Sequence, residues 1–163
     1  MVSIVAAHLL LDGLDLSSTE KDSYIIEIGS VRERSPEPSS LYFANKASEA
    51  GLNFLTVDLS KSSWELAREY VGDKAVLADG AEFLRDFNGK ISVLYLDNYD
   101  YPYDEAHFQS ICARSRHDFD GATCDAVRRR SPQVHFEQML AALPKLASPC
   151  WIVVDNTDRS RPS

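Results

Sequence analysis

The chain has 163 residues, 44% of them hydrophobic, which suffices for one domain with a buried core and is too short to suggest two. The formal net charge of -8 argues against nucleic acid or an anionic membrane as a partner, because both attract clustered Lys and Arg. The three cysteines show no CxxC spacing, which indicates reduced thiols and neither a disulfide framework nor a zinc site. We therefore expect a cytoplasmic protein.

Three regions follow one another along the chain. Residues 1–22 are predicted to be a helical N-terminal segment, residues 23–158 the single domain, and residues 159–163 a polar tail. The apolar stretch at 2–11 lacks a basic flank and is too short to cross a bilayer. We therefore expect neither a secretion signal nor a membrane span.

Short apolar runs alternate with segments of helical period. The runs predict strands at 24–28, 53–57, 75–78, 91–96 and 151–154. The periodic segments predict helices at 39–50, 63–71, 81–87, 104–115 and 131–146. This alternation predicts an α/β fold, a doubly wound parallel sheet with helices on both faces.

Prolines and polar stretches predict where the regular elements are interrupted. Residues 32–38 hold two prolines and predict an exposed loop. Residues 117–130 are mostly polar and predict an irregular insertion near a binding site, with its three arginines at 128–130 as a solvated flank. Ser131 and Pro132 predict the start of the last helix, and Pro144 predicts its end.

The first strand carries Glu27 near its carboxyl end and is followed by Gly29 and Ser30. A Rossmann dinucleotide site needs three glycines in this turn so that the backbone can approach a pyrophosphate. Only one glycine is present, and the carboxylate of Glu27 would repel a pyrophosphate. The turn therefore favours a cationic or hydroxyl-bearing ligand.

Acidic residues also end the second and third strands. Asp58 is suited to accept hydrogen bonds from both hydroxyls of a ribose, or it caps the helix that begins near Ser60. Asp79, followed by Gly80 and Ala81, either caps the next helix or accepts from an adenine amine. Both alternatives stay open at this point.

The fourth and fifth strands end in the same dipeptide, at Asp97-Asn98 and Asp155-Asn156. Carboxyl ends of neighbouring parallel strands meet at one edge of a sheet, where ligands bind. Two carboxylates at close range require a positive charge between them, and hard oxygen ligands suit a small divalent cation. The alternative is that both aspartates simply end strands and begin turns.

The order of these parts resembles the class I S-adenosylmethionine-dependent methyltransferases, over nearly the whole chain from Tyr24 onward. The family has sheet order 3-2-1-4-5. Carried over, the resemblance implies that the methionine part of the cofactor lies at Glu27, Gly29 and Ser30. It also implies that Asp58 binds the ribose. The adenine would then lie at Asp79, Gly80 and Ala81.

The two Asp-Asn strand ends are similar to those of cation-dependent O-methyltransferases of the catechol and caffeoyl-coenzyme A type and of macrocin-type sugar O-methyltransferases. Residues 131–139, which run into Leu143-Pro144, look closest to the macrocin-like branch. The resemblance implies Asp97, Asp155 and Asn156 as ligands of a metal, Mg²⁺ by preference. Such a metal lowers the pKa of an acceptor hydroxyl, so that its oxygen attacks the sulfonium methyl in line.

The chain departs from this family at the base. Catechol-type enzymes have a Lys three residues after the first metal aspartate, where this chain has Asp100. His107 and His135 are the alternative bases, because imidazole titrates near working pH, although a histidine on a helix is often a packing residue. The tyrosines at 99, 101 and 103 either line an acceptor pocket or cover the core.

The family usually adds an antiparallel hairpin after the fifth strand, but residues 156–163 are polar and predict no strand. We expect the hairpin to be missing, which leaves two alternatives: a shortened domain, or an exposed strand edge that a homodimer partner covers. The predicted activity is O-methylation of a small molecule or sugar. The alternatives are a non-catalytic or truncated cofactor-binding module of the same fold and an NAD(P)-dependent oxidoreductase.

Overall fold

The strands form one parallel sheet in a computed structural model that describes residues 12–97, 102, 104–114 and 121–155. The strand order is β3-β2-β1-β4-β5, and all four neighbouring pairs are parallel. The strands are β1 (Tyr24–Ile28), β2 (Asn53–Asp58), β3 (Ala75–Leu77), β4 (Ile91–Leu96) and β5 (Leu146–Val154). The predicted Rossmann-like fold and its sheet order are confirmed.

Helices connect the strands and cover both faces of the sheet. They are α1 (Ser39–Ala50), α2 (Lys61–Val71), α3 (Gly80–Asp86), α4 (Glu105–Arg114) and α5 (Cys124–Ala142). Within the described chain, none of these helices has both the length and the apolar character that crossing a membrane requires. Of the predicted N-terminal helical segment, residues 12–22 hold a short 3-10 helix at Leu16–Ser18, and residues 1–11 lie outside the described residues, as does the tail at 159–163.

The side chains of the strands alternate between two apolar layers. On one face, Ile25, Val93 and Tyr95 pack against Phe43 of α1. On the other face, the strand residues pack against α3 and α5, through Leu84 among others. Because β4 lies between two strands and two helical layers, all six of its residues are buried.

The predicted start of the last helix is wrong. Helix α5 begins at Cys124, so the predicted insertion at 117–130 is helical from residue 124, and Pro132 lies inside the helix. The helix starts early because the Thr123 hydroxyl accepts the Ala126 N–H, and because Cys124 and Val127 pack on Phe108 of α4. The end near Pro144 is confirmed, since α5 stops at Ala142 and a 3-10 turn follows.

The fifth strand is longer than its apolar run. It begins at Leu146, five residues before the predicted start at Trp151, and a register shift lies opposite the stretch from Ile91 to Val93. Pairing with β4 extends the strand through residues whose side chains alone do not predict a strand. The regular part, from Trp151 to Val154, carries the strand to its acidic carboxyl end.

Candidate functional site

Asp97 and Asp155 stand side by side at the carboxyl edge of the sheet. Leu96 and Val154 are partners in the β4–β5 register, and the two aspartates are the next residues of their strands. The Asp155 N–H donates to the Leu96 carbonyl at 2.9 Å, and the Asp97 N–H donates to the Ile28 carbonyl at 2.8 Å. The predicted meeting of these two strand ends is therefore observed.

Tyr95 connects the core to the acidic edge, the part of the carboxyl edge that holds Asp97 and Asp155. Its hydroxyl donates to Asp155 Oδ2 at 3.0 Å, and its ring packs 4.8 Å from the Phe43 ring, between centroids. Burial, followed by the negative charges of Asp97 and Asp155, raises the pKa of Tyr95 well above its ordinary value. The phenol therefore stays protonated at neutral pH, which is the form that donates to the carboxylate.

Glu27 is buried between β1 and the start of α1. Its side chain has no exposed surface, and its two oxygens accept hydrogen bonds of 2.6 Å from the hydroxyls of Ser39 and Ser40 at the start of α1. Burial raises its pKa to about 7, against the opposing hydrogen bonds from Ser39, Ser40 and Thr56. This carboxyl joins β1 to α1, so its predicted contact with a cofactor has no support in the geometry.

Asp58 accepts hydrogen bonds from both of the turns that follow β1 and β2. Its Oδ2 accepts the Ser30 N–H and its Oδ1 accepts the Ser60 N–H, both at 2.7 Å. Gly29 takes a positive φ of 96°, which turns the chain after β1 toward this carboxylate. The capping alternative is partly met, because Ser60 is the N-cap of α2 and Asp58 holds the Ser60 amide.

Asp79 caps α3, as one of the two alternatives predicted. Its Oδ1 accepts the N–H groups of Ala81 and Glu82, both at 2.9 Å. Gly80 is required at the next position, because a Cβ there would lie 2.5 Å from Ile28 Cγ2 and 2.9 Å from Gln138 Nε2. The absence of a side chain at Gly80 therefore lets α3 approach both β1 and α5.

A cleft of about 210 Å³ lies over the carboxyl ends of β1, β2 and β3. Its lining comes from the ends of β1 and β2, the residues just after β2 and β3, the start of α3 and one side of α5: Ile28, Val57, Asp58, Leu59, Asp79, Gly80, Ala81, Arg130, Val134 and Glu137. Arg130 pairs with Glu137 at 3.0 Å along the rim. The cleft thus joins the residues predicted for the nucleoside, whereas those predicted for the methionine part are not in its lining; these are Glu27, Gly29 and Ser30.

The two candidate histidines occupy different environments. His135 on α5 is 5% exposed, and in the described part of the chain its Nε2 has no hydrogen-bond partner. Burial lowers the pKa of His135, while the negative charge of Asp155 opposes that shift. His135 is therefore within electrostatic reach of Asp155. His107 is half-buried on α4, where its backbone N–H donates to Asp104 Oδ1.

Several predicted residues lie outside the described residues. They are Asn98, Tyr99, Asp100, Tyr101, Tyr103 and Asn156. Among the residues that are described, no group of three or more His, Cys, Asp and Glu side chains is arranged to hold a metal ion. The described part of the predicted metal site is therefore the pair Asp97 and Asp155.

Sequence reasoning missed three contributions to this region. Arg130, Val134 and Glu137 line the cleft from α5, and this was missed because it depends on contacts between α5 and strand ends that are distant along the chain. The role of Ser39 and Ser40 could have been predicted, because two serines after a proline indicate the start of a helix. Their hydroxyls can then donate hydrogen bonds to a buried carboxylate. The Tyr95–Asp155 contact left none, because it joins side chains sixty residues apart.

The chain matches no protein-family model, and no curated protein matches it in a sequence search.

Proposed function

We propose that this protein is an S-adenosylmethionine-dependent methyltransferase that uses a divalent cation to methylate a hydroxyl of a small molecule or sugar. One observation carries the proposal. Ile28 lines the cleft over β1 to β3, and its carbonyl accepts the N–H of Asp97, the first of the paired aspartates. A nucleoside in that cleft would therefore lie next to a cation at the paired aspartates.

The cleft fits the nucleoside half of such a cofactor. Asp58 and Asp79 offer carboxylate oxygens for hydroxyl and amine donors, while Val57, Ala81 and Val134 offer apolar surface. Its volume of about 210 Å³ is below the roughly 300–1,000 Å³ of pockets that enclose a whole drug-sized ligand. The methionine half would extend toward β4, where Asp97 and Asp155 favour a sulfonium cation.

Asp97, Asp155 and the predicted Asn156 would hold the cation, and their hard oxygens suit Mg²⁺. When bound, such an ion acts as a Lewis acid that lowers the pKa of an acceptor hydroxyl. Tyr95 would orient Asp155 by its 3.0 Å hydrogen bond to Asp155 Oδ2. The close pair of carboxylates is the feature that fits a positive charge.

His135 is the candidate base. It is buried near Asp155, and its lowered pKa keeps the imidazole neutral at pH 7, the form that accepts a proton. His107 lies on α4, the helix whose Phe108 packs against Cys124 and Val127 at the start of α5. In this proposal the catalytic set is Asp97 with His135, and His107 has no role.

Calorimetric titration with S-adenosylhomocysteine and with NADH tests the cofactor. We expect the first to bind and the second not to bind, because Asp58 holds the Ser30 N–H that a pyrophosphate would need. D58N should weaken binding of S-adenosylhomocysteine about 10- to 100-fold, as expected for lost hydrogen bonds to a charged group. D73N is the matched control, because Asp73 is fully exposed just before the amino end of β3.

Binding of NADH alone would identify an oxidoreductase and refute the proposal. Binding of S-adenosylhomocysteine without methyl transfer from a labelled donor to catechol and sugar acceptors would favour the non-catalytic module.

Titration with Mn²⁺ tests the cation separately. D97N and D155N should each weaken Mn²⁺ binding, whereas D73N should not, and a chelator should abolish transfer. Transfer that persists with a chelator would remove the metal and leave the methyltransferase assignment.

A further inference from the structure

The buried face of α5 carries polar side chains where apolar ones are expected. Its buried residues follow a helical period; they are Cys124, Val127, Ser131, His135, Gln138 and Ala142. Three successive members of this set form what we call the polar stripe: Ser131, His135 and Gln138, which are 2%, 5% and 1% exposed. Burying polar groups costs free energy unless hydrogen bonds compensate for the lost water.

Two atoms of the polar stripe lack that compensation. They are Gln138 Oε1 and His135 Nε2, and both are closed to solvent. Neither atom has a hydrogen-bond partner anywhere in the segments that the structure describes. Because the large majority of buried side-chain polar atoms in proteins are hydrogen-bonded, each exception requires an explanation. A bound ligand is one source of the missing partners.

The polar stripe extends from the acidic edge to the cleft. His135 is within electrostatic reach of Asp155. Three residues further along α5, Gln138 lies beside Gly80, where an added Cβ would be 2.9 Å from Gln138 Nε2 and 3.5 Å from its Cδ. Gly80 is part of the cleft lining. A ligand that reaches from the cleft to the acidic edge would therefore pass beside the polar stripe.

Gln138 also borders the part of α5 that already faces the cleft. Val134 lines the cleft, and Gln138 follows it by four residues, so the two side chains are neighbours on the helix surface. A change of rotamer would carry the amide of Gln138 from Gly80 to the cleft wall beside Val134 without moving the helix. The amide is therefore close enough to serve a ligand in the cleft.

The amino-acid part of the proposed cofactor is the part that lacks partners. Glu27, Gly29 and Ser30, to which the resemblance assigns it, are not in the cleft lining. An α-amino acid group carries an ammonium group that donates hydrogen bonds and a carboxylate that accepts them. A primary amide can accept from the first and donate to the second, so its chemistry matches this group.

We propose that Gln138 binds the amino-acid part of the cofactor, with Oε1 accepting from the ammonium group and Nε2 donating to the carboxylate. This inference rests on the proposed function, because it takes an S-adenosyl amino acid as the ligand. It assigns to α5 a contact that the sequence assigned to the turn after β1. His135 stays the candidate base at the other end of the polar stripe.

Calorimetric titration with two nucleosides tests the proposal. S-adenosylhomocysteine carries the amino-acid part, whereas methylthioadenosine has the same nucleoside without it, so the unmodified chain should bind the first more tightly. Q138M should weaken binding of S-adenosylhomocysteine about 10- to 100-fold, as expected for lost hydrogen bonds to charged groups. Its affinity for methylthioadenosine should be unchanged. Q133M is the matched control, because Gln133 is exposed on the same helix, and it should leave both affinities unchanged.

Thermal denaturation separates a loss of binding from a loss of folding. Q138M should be at least as stable as the unmodified chain, because methionine has nearly the shape of glutamine and brings no unpaired oxygen into the core. Q138L repeats the comparison if Q138M does not fold. The relative affinities of the two nucleosides for the unmodified chain need no variant.

The outcomes distinguish this inference from the proposed function. Equal affinities of the unmodified chain for both nucleosides would overturn the inference and leave the proposed function standing. A folded Q138M that loses both affinities equally, or loses neither, would do the same. An unmodified chain that binds neither nucleoside would overturn the proposed function and the inference with it.

Discussion

The hydroxyl of Tyr95 donates to Asp155 Oδ2 at 3.0 Å, so a side chain of the core orients a carboxylate at the carboxyl edge of the sheet. Tyr95 is 1% exposed and packs on Phe43, so the position of its hydroxyl is restricted. If Asp155 holds the proposed cation, Tyr95 would affect metal affinity without touching the metal.

Replacing Tyr95 by Phe should therefore weaken Mn²⁺ binding about 10- to 100-fold, as lost support of a ligand typically does. Isothermal titration measures the change. Y24F is the matched control, because Tyr24 lies at the amino end of β1, away from the acidic edge, and should leave the affinity unchanged. Unchanged Mn²⁺ affinity in Y95F would contradict a role for Asp155 as a ligand oriented by Tyr95.

Glu27 should make the stability of the protein depend on pH. Its pKa is raised from 4.5 to about 7 in the folded chain, so the fold favours the protonated carboxyl. The corresponding stability is complete below pH 4.5 and falls as the pH rises to 7, where the folded carboxyl ionises. The shift corresponds to about 3 kcal/mol of unfolding free energy.

E27Q should lose this dependence, because glutamine stays neutral, and it should be more stable than the unmodified chain at pH 8 while similar at pH 4.5. Urea denaturation at both pH values measures the free energies of unfolding. E65Q, whose side chain is 59% exposed on α2, should keep the original pH dependence. Parallel pH curves for E27Q and the unmodified chain would show that burial of Glu27 has no such effect.

Val134 offers a way to fill the cleft from the helix side. It lines the cleft from α5 and is half-buried, so V134F should place a ring where the nucleoside would lie. We expect S-adenosylhomocysteine to bind at least ~10-fold more weakly, a loss of about 1.4 kcal/mol. In Q133F the ring is added at the exposed neighbouring position and affinity should persist. Equal affinities of both variants would locate the ligand elsewhere.

The two histidines should differ in their effect on methyl transfer. H135Q should lower kcat by roughly 10²- to 10⁴-fold, the usual contribution of a general base, with little change in the Kd for S-adenosylhomocysteine. H107Q should leave both values unchanged. Thermal denaturation of H135Q checks that the fold persists, since the side chain is buried. Full activity in a folded H135Q would remove His135 from the mechanism.

The amino-acid sequence alone determined the elements and their order, because burial on both faces of a parallel sheet leaves apolar runs that end abruptly at polar residues. The runs at β1 and β4 matched the strands residue for residue, and Asp97 and Asp155 were predicted to meet because neighbouring strands end at one edge. The start of α5 was missed, since Pro132 marked a false first turn and packing on Phe108 stabilised seven earlier residues.

Only the tertiary structure decided which acids are open to a ligand. Glu27 and Asp58 both follow apolar residues. Glu27 is buried and accepts hydrogen bonds from Ser39 and Ser40, whereas Asp58 borders a cleft. That difference comes from where α1 and α5 cross the ends of the strands. Local periodicity records which side of a strand is buried, but burial of a given carboxylate depends on contacts between segments that are distant along the chain.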